Sequence, residues 1–474
     1  MLLCVSVIVA ACSPTPTVPL APDSPVVDAP APDLLGPIRL EGSRFVDAAG
    51  RDVIIHGLNS VEKSPPFLSE LTPTELGGAE LDRITRDGFN GIRLGVWPAA
   101  VMPSPGVVDH EYVDRVRSVV DALGERGLWV LLDFHQDVFW GMPTWATSPG
   151  AAALSADPPA GLDIGWAAAY AAPRSNRQWD EWWANARTSP GSDLGVVDAY
   201  AVGVAAVAAR HADAPNVIGV EVINEPYPGS ALLACGLSNC PDLDAAATRA
   251  NTIVTEAVRA VAPDMPVWWT PQALFPIYSD TTMARPGPTG GPGGLSFHTY
   301  CLYTDGGTPE APPPAASALC GGVFEQAFDR AERLAGRWQG PAMLTEFGAS
   351  ASPLNVTAPV RLADERLLSW FHWESGRYPD VVESQIVRPS AQATAGTPLS
   401  QSFDPASGAY RFTYRSDPGI TAPTSIVVPG RAYPGGYEVE VVGGTVTSPP
   451  DAGRVLVEAD GSVERTVEVL LRRR

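Results

Sequence analysis

Short apolar runs alternate with longer amphipathic segments between about residue 38 and residue 377. The segments HEYVDRVRSVVDALGERG and FEQAFDRAERLAGRW repeat apolar residues at three- and four-residue spacing, which is typical of helices with one buried face. Eight apolar runs have the length of buried strands: VIIHGLN, NGIRLGV, LWVLLDF, VIGVEVIN, PVWWTP, LSFHTY, AMLTEFG and LLSWFHW. These alternating units predict an α/β fold, a (β/α)₈ TIM barrel with long loops.

The pattern changes near residue 380. AYRFTYRS, TSIVVPG, YEVEVVGG and RTVEVLL have turn residues between them and little helical periodicity. They predict a C-terminal β-sandwich domain. We therefore divide the chain into a catalytic barrel at 38–380 and a sandwich at 381–474.

The first residues, MLLCVSVIVAAC, form an apolar run that is too short to span a bilayer as a helix. We interpret residues 1–12 as a signal peptide and expect an extracellular or cell-surface protein. VAAC, ending at Cys12, looks like a lipobox, so lipidation of Cys12 is the anchored alternative, although no basic residue precedes the run. Residues 13–37 carry eight prolines and form a predicted extended linker, which is either a tether or a segment without a role.

Charge and cysteines narrow the function classes. A formal net charge of −21 argues against nucleic-acid binding, which needs clustered Lys and Arg. Four cysteines fall into two local pairs, Cys235 with Cys240 and Cys301 with Cys320, and we expect two disulfides rather than free thiols in an exported chain. Neither the cysteines nor the histidines show metal-ligand spacing, so we expect no metal and no cofactor. We also expect a monomer, although no sequence feature sets the oligomeric state.

Polar and aromatic residues lie at or near the carboxyl ends of the candidate strands, where TIM barrels place catalytic groups. They are Arg93, His135, Asp137, Asn224, Glu225, His298, Tyr300, Glu346 and Trp373. Glu225 and Glu346 come from separate strands and face one mouth. Glycoside hydrolysis requires such a pair, because one carboxyl group protonates the leaving oxygen and the other attacks carbon. We predict Glu225 as the general acid/base and Asn224 as a hydrogen-bond partner of the sugar 2-hydroxyl.

Eight of these residues, in this order and on these strands, resemble glycoside hydrolase family 5: Arg93, His135, Asn224, Glu225, His298, Tyr300, Glu346 and Trp373. FVDAAGRDVIIHGLN also looks like the hairpin and first strand of that family. The resemblance implies a retaining double displacement in which Glu225 is the acid/base and Glu346 the nucleophile. It also implies that Arg93 orients Glu346, that His298 and Tyr300 hydrogen-bond around the two glutamates, and that Trp373 stacks on the sugar.

Within the family, LLDFHQDVF, NSVEKSPPF, FHTYCLY and the β-rich tail look most like the endoglycoceramidase-related branch. Members of that branch cleave between a glycan and ceramide. The resemblance implies that Lys63, His135 and Asp137 contact the non-reducing sugar side. The expected partner is therefore a glycolipid or an oligosaccharide, with contact to a membrane surface as a further expectation.

Two alternatives stay open. The core residues also fit a family 5 endo-β-glucanase or mannanase acting on polysaccharide, because fold and core motif do not separate these activities. A noncatalytic carbohydrate-binding surface lipoprotein is the second, although retention of both glutamates speaks against it. We expect the β-domain to have a structural role. Five further residues are expected in packing or supporting roles: His56, Trp179, Trp182, Trp183 and Glu221.

Overall fold

The computed structural model describes residues 37–474 except 72–74, 161–166, 237–238, 288–290, 302–313, 350–352 and 377–378. The predicted signal segment, Cys12 and nearly all of the linker lie outside the described residues. Short strands open this part of the chain: β1 (Arg39–Glu41), β2 (Arg44–Val46) and β3 (Asp52–Val53). The barrel strands follow: β4 (His56–Ser60), β5 (Gly91–Val96), β6 (Trp129–Phe134), β7 (Val217–Glu221), β8 (Val267–Trp269), β9 (Gly293–Thr299), β10 (Ala342–Phe347) and β11 (Trp370–His372). The C-terminal strands are β12 (Ser390–Thr394), β13 (Gly396–Asp404), β14 (Ala409–Ser416), β15 (Thr424–Val427), β16 (Tyr437–Val442), β17 (Gly444–Val446), β18 (Arg454–Ala459) and β19 (Thr466–Arg473).

Strands β4 to β11 close into a barrel in which every neighbouring pair is parallel. All of their residues except the half-buried Ala342 are buried, because the barrel interior and the outer helices cover both faces of the sheet. The helices are α1 (Glu75–Arg86), α2 (Pro98–Val101), α3 (His110–Glu125), α4 (Pro149–Ala152), α5 (Pro173–Trp183), α6 (Val196–His211), α7 (Ala231–Cys235), α8 (Pro241–Val261), α9 (Pro314–Trp338), α10 (Leu354–Arg366) and α11 (Asp380–Ile386). The predicted TIM barrel is confirmed.

Helix α3 illustrates how the sequence pattern sets the outer layer. The Asp109 side chain caps its first turn by accepting a hydrogen bond from the Tyr112 N–H. Val113, Val116 and Val120 then recur on one buried face against the barrel. Among the described residues, no helix combines the length and apolarity that a membrane span requires.

The C-terminal domain consists of two antiparallel sheets with a shared core, as the sequence predicts. The four-stranded sheet has the order β13-β14-β19-β16, and the larger sheet has the order β1-β2-β3-β12-β15-β18-β17. Strand β3 lies within the range 38–380 predicted for the barrel, but it pairs with β12 of this domain, and β1 and β2 extend the same sheet. The inward-facing residues of both sheets, such as Tyr410, Phe412, Ile426 and Val457, form one apolar cluster.

This domain packs on the barrel end where the strands begin. Arg431 bridges Asp87, which lies just before β5, and Glu383 of α11, at 3.0 and 2.6 Å. Gln392 donates to the carbonyl oxygen of Gly88 in the same turn at 2.8 Å. Catalytic groups in TIM barrels lie at the opposite end. The β-domain therefore covers the end of the barrel opposite the one where catalytic groups are expected.

Other sequence expectations about packing are met in the fold. Cys235 bonds to Cys240, and Cys301 bonds to Cys320. His56 is buried and stacks on Trp370 with ring centroids 4.3 Å apart. The aromatic side chains of α5 are also buried: Trp179, Trp182 and Trp183.

Candidate active site

Arg93, on β5, organises the centre of the barrel mouth. Its side chain has no exposed surface. Nη1 donates to Oε1 of Glu346 at 2.7 Å and to Oδ1 of Asn59 at 2.9 Å, and Nη2 donates to Oδ1 of Asn224 at 2.9 Å. One guanidinium thus orients side chains from three strands or strand ends, which its planar array of five donors permits.

Two more carboxylates complete the surroundings of Arg93. Nε donates to Oε2 of Glu221 at 2.8 Å, and Nη2 lies 2.9 Å from Oδ1 of Asp133. Burial alone would lower the pKa of Arg93, but Asp133, Glu221 and Glu346 together raise it above its ordinary value. Burial would raise the pKa of Asp133, and the charges of Arg93 and His135 lower it below its ordinary value. Arg93 and Asp133 are therefore both stabilised in their charged forms.

Glu225 and Glu346 face each other across the mouth. One oxygen of each, together with a ring nitrogen of His298, lies within a group whose atoms are all within 4.8 Å of one another. The Tyr300 hydroxyl donates to Oε2 of Glu346 at 2.8 Å, and His298 Nδ1 lies 2.8 Å from Oε1 of Glu225. The Glu346 side chain is 6% exposed, whereas that of Glu225 is 15% exposed and opens toward solvent. Glu346 is thus held at both oxygens, and Glu225 is the more accessible carboxylate.

Glu225 lies beyond the end of β7 in an unusual backbone conformation. Its φ is +38°, in the left-handed region that side chains other than glycine rarely adopt. The preceding residue is fixed because the Asn224 N–H donates to the Phe134 carbonyl at 2.9 Å, and the Ala273 N–H donates to the Pro226 carbonyl at 2.8 Å. The turn that aims Glu225 is therefore tied to the loops on both sides.

A second polar group lies on the neighbouring side of the mouth. Lys63 Nζ lies 2.6 Å from Oδ2 of Asp137 and 4.9 Å from the centre of the Trp373 ring. The His135 ring stacks on Trp373, and its Nδ1 lies 2.7 Å from Oδ2 of Asp133. An aromatic face beside several hydrogen-bonding groups suits a sugar ring, which has apolar faces and polar edges.

Both histidines of the mouth are biased toward the protonated form. Burial would lower the pKa of His135, but Asp133 and Asp137 raise it to about 9. Burial likewise would lower the pKa of His298, but Glu346 and Glu225 raise it above its ordinary value. His298 thus lies between two glutamates that favour its protonated form.

Glu225, His298 and Glu346 are also the group, within the described ranges, whose spacing could hold a metal ion. The same carboxylate and ring atoms, however, are already joined to each other and to Tyr300 by hydrogen bonds. A protonated His298 has no free lone pair for a metal. This chemistry favours an acid–base pair over a metal site.

The structure brings ten of the predicted residues to one mouth: Lys63, Arg93, His135, Asp137, Asn224, Glu225, His298, Tyr300, Glu346 and Trp373. Glu221 is buried and paired with Arg93, as its place in the strand predicts. Three further residues of the mouth were not predicted from the sequence: Asn59, Asp133 and Gln136. Asn59 lies one residue before the end of β4, and Asp133 precedes His135 by two residues on the same face, so strand alternation was the available signal.

Residues 46–378 match the family model described as "Cellulase (glycosyl hydrolase family 5)", and residues 388–469 match "Glycoside hydrolase family 5 C-terminal domain". The chain belongs to glycoside hydrolase family 5. It is therefore a glycoside hydrolase, and the family predicted from the strand-end residues is confirmed.

Similar proteins within family 5 point to one branch. The chain is 36% identical over 453 residues to "Endoglycoceramidase I" of Rhodococcus hoagii (strain 103S), covering 91% of this chain and 88% of that protein. A structure of endo-glycoceramidase II from Rhodococcus sp. in complex with ganglioside GM3 is 26% identical, with a TM-score of 0.74, covering 92% of this chain and 100% of that one. A lactosyl-enzyme intermediate of the same Rhodococcus enzyme is 25% identical, with a TM-score of 0.73, covering 91% and 100%.

Proposed function

We propose that this chain is a retaining endo-β-glycosidase that hydrolyses the linkage between the glycan and ceramide of glycosphingolipids. The observation that carries the chemistry is the carboxylate pair, because oxygens of Glu225 and Glu346 lie within 4.8 Å of one another. Retaining enzymes hold their carboxyl groups about 5 Å apart, whereas inverting enzymes leave roughly 6.5 Å or more for a water molecule. The substrate class is supported by the relatives that are named endoglycoceramidases.

In the first step, a Glu346 oxygen attacks the anomeric carbon while Glu225 gives its proton to the glycosidic oxygen, so that ceramide leaves as an alcohol. In the second step, Glu225 takes a proton from water, and the oxygen of that water displaces Glu346 from the sugar. Arg93 and Tyr300 hold both oxygens of Glu346 in place for attack. The trapped lactosyl intermediate of the similar Rhodococcus enzyme supports this route.

The glycan side and the aglycone side of the mouth differ in polarity. Lys63, Asp137 and Trp373 offer charged and aromatic contacts to a sugar. Since Glu225 must stand beside the leaving oxygen, the loop that follows it borders the aglycone. That loop, residues 226–241, contains no charged residue. An uncharged border suits a lipid aglycone.

The experiment is to give the purified protein a glycosphingolipid and, separately, soluble β-glucan and mannan. We expect release of ceramide together with the intact glycan, measured by mass spectrometry, and little reducing sugar from either polysaccharide. Cleavage of a polysaccharide alone would establish the glucanase or mannanase alternative. Absence of cleavage of all three would contradict the proposal.

We also propose that the mouth contacts a neutral lipid surface. Two segments contain no charged residue, 97–108 and 226–241. Val107 in the first segment is 52% exposed, and Leu233 in the second is 88% exposed. Trp140, on the loop after β6, is 55% exposed. Loops after parallel strands share one end of the barrel, so these apolar side chains surround the mouth. A net charge of −21 disfavours contact with anionic lipid, so we expect the contacted surface to be zwitterionic lipid.

Leu233→Ser should lower binding to phosphatidylcholine vesicles about tenfold, since burial of a leucine side chain contributes about 1.5 kcal/mol or more. Hydrolysis of a soluble aryl β-lactoside should not change. Leu399, 42% exposed on β13 of the C-terminal domain, supplies the control Leu399→Ser. Equal vesicle binding by both variants in a sedimentation assay would rule out the surface at Leu233.

We also propose that the protein is exported and that Cys12 is lipidated. The apolar residues 1–12 and the proline-rich segment behind them support it, and two disulfides suit an oxidising compartment. Mass spectrometry of the cell-expressed protein would find a diacylglyceryl group on Cys12 in the lipid-anchored form. A chain cleaved elsewhere and without lipid would contradict anchoring.

A further inference from the structure

Gln136 lies at the beginning of the loop after β6 with no exposed surface. Its Nε2 donates to the carbonyl oxygen of Asn224 at 2.7 Å and to that of Glu225 at 3.1 Å. Its Oε1 accepts a hydrogen bond from the Phe139 N–H at 2.6 Å. Its own carbonyl accepts from Nδ2 of Asn224 at 3.0 Å. Both ends of one buried amide are thus used to join two loops.

The backbones that Gln136 joins are unusual on both sides. Glu225 has a φ of +38°, and Val138 and Phe139 have φ of +54° and +76°. Each such residue costs about 1 kcal/mol or more and persists only where surrounding contacts enforce it. Hydrogen bonds to the Asn224 and Glu225 carbonyls hold the peptide units on both sides of the Glu225 Cα and resist rotation about its φ and ψ. They therefore resist displacement of the Glu225 side chain.

We propose that Gln136 is a positioning residue that holds Glu225 in the orientation required of a general acid. This inference rests on the role of Glu225 under the proposed function. Without the two bonds from Nε2, the backbone at Glu225 relaxes from its left-handed conformation. Its carboxylate then leaves His298 Nδ1, now 2.8 Å away, and no longer faces Glu346 across the cleavage point.

Gln136 also connects the acid to the predicted sugar-binding turn. Asp137 follows it directly, and the Asp137 and Trp140 main chains exchange hydrogen bonds of 2.9 and 2.6 Å across the turn that Gln136 caps through Phe139. Displacement of this turn would move the carboxylate that pairs with Lys63. The predicted sugar-binding turn and the orientation of Glu225 therefore both depend on the buried side chain of Gln136.

The test is Gln136→Met, which keeps the length of the side chain but removes its donor and acceptor. General acid catalysis contributes about 10²-fold or more, and it matters most when the leaving group is a poor one. We expect kcat/KM for an alkyl β-lactoside to fall about 10- to 100-fold, and that for a dinitrophenyl β-lactoside to change less than about 3-fold. Glu225→Gln should give the same selectivity with a larger loss.

Asn90 supplies the matched control, because it is a buried amide that also bridges two backbones. Its Oδ1 accepts from the His56 N–H at 2.8 Å, and its Nδ2 donates to the Ile54 carbonyl at 3.0 Å, at the opposite end of the barrel. Asn90→Leu should lower stability without changing the ratio between the two substrates. Equal loss on both lactosides in Gln136→Met would overturn the proposal, because it would show only a folding role.

The pKa of His298 supplies a second test, which needs no substrate and remains valid even if the protein lacks the proposed activity. Because Glu225 helps to raise the pKa of His298, its departure should lower that pKa, measured by NMR of ¹⁵N-labelled histidine. The pKa should fall in Gln136→Met and stay constant in Asn90→Leu. Gln136→Glu is the alternative variant if Gln136→Met does not fold. It keeps the acceptor for the Phe139 N–H, and it should recover the acid function of Glu225 only at low pH, where the new carboxyl group is protonated. An unchanged pKa of His298 in folded Gln136→Met would contradict the inference, as would an unchanged pKa in Gln136→Glu while its new carboxyl group is ionised.

Discussion

We expect Glu346→Gln to fold like the parent protein and to lose about 10⁴-fold or more of its turnover. The amide keeps the shape of the side chain and can still accept from Arg93, which now donates to Oε1 at 2.7 Å. A neutral amide, however, cannot attack the anomeric carbon. Turnover of a dinitrophenyl β-lactoside is the measurement, because this leaving group does not depend on the acid. Residual activity within tenfold of the parent would rule out Glu346 as the nucleophile.

Glu221→Gln is the matched control for that experiment. Glu221 is also a buried glutamate that accepts from Arg93, at 2.8 Å, but it faces the barrel interior behind the mouth. If Glu346 acts only by balancing the charge of Arg93, both variants should lose activity equally. If Glu346 attacks the sugar, Glu346→Gln should be far worse. Azide should then restore turnover in Glu346→Ala and yield the α-glycosyl azide, because the small anion attacks where the carboxylate is missing.

The sequence predicts the fold and the identity of the site residues, but not the detailed geometry of the site. Strand periodicity placed Glu225 and Glu346 at strand ends, and the closure of eight parallel strands brings such ends together. The separation of the carboxylates could not be predicted, because it depends on a bulge in β10 between Leu344 and Glu346 and on the positive φ of Glu225. These are tertiary effects that leave no periodic signal in sequence.

Long-range pairing explains the other differences. Strand β3 precedes the barrel in sequence but pairs with β12, more than 300 residues later. Such a pairing is set by the exposed edge of the C-terminal sheet and not by local pattern. Gln136 likewise lies in a quoted motif, yet its partners at Asn224 and Glu225 are 88 and 89 residues away. Its role follows only from those contacts.

The largest effect on stability is expected for Arg93→Met. Arg93 is the cation shared by Asp133, Glu221 and Glu346, all within 2.9 Å. Its removal leaves three buried carboxylates without that charge, and loss of one partner from a buried ion pair costs about 3–5 kcal/mol. We expect a decrease of at least this size in the free energy of unfolding, measured with urea. Arg93→Lys should lose less, since it keeps the charge but not the fork of donors.

The pH dependence separates loss of charge from loss of packing in Arg93→Met. In the parent, Arg93 helps to lower the pKa of Asp133, so this contribution to stability is present at neutral pH and is lost as pH falls through the folded-state pKa. Without Arg93, burial raises the pKa of the carboxylates, and the folded state binds protons before the unfolded state does. Relative to the parent, the variant should therefore gain stability from pH 7 to pH 5. Adding Glu221→Gln should restore about 1 kcal/mol or more at pH 7, because one uncompensated charge is gone. If stability is lost equally at both pH values and the second substitution restores none of it, the damage comes from packing and not from charge.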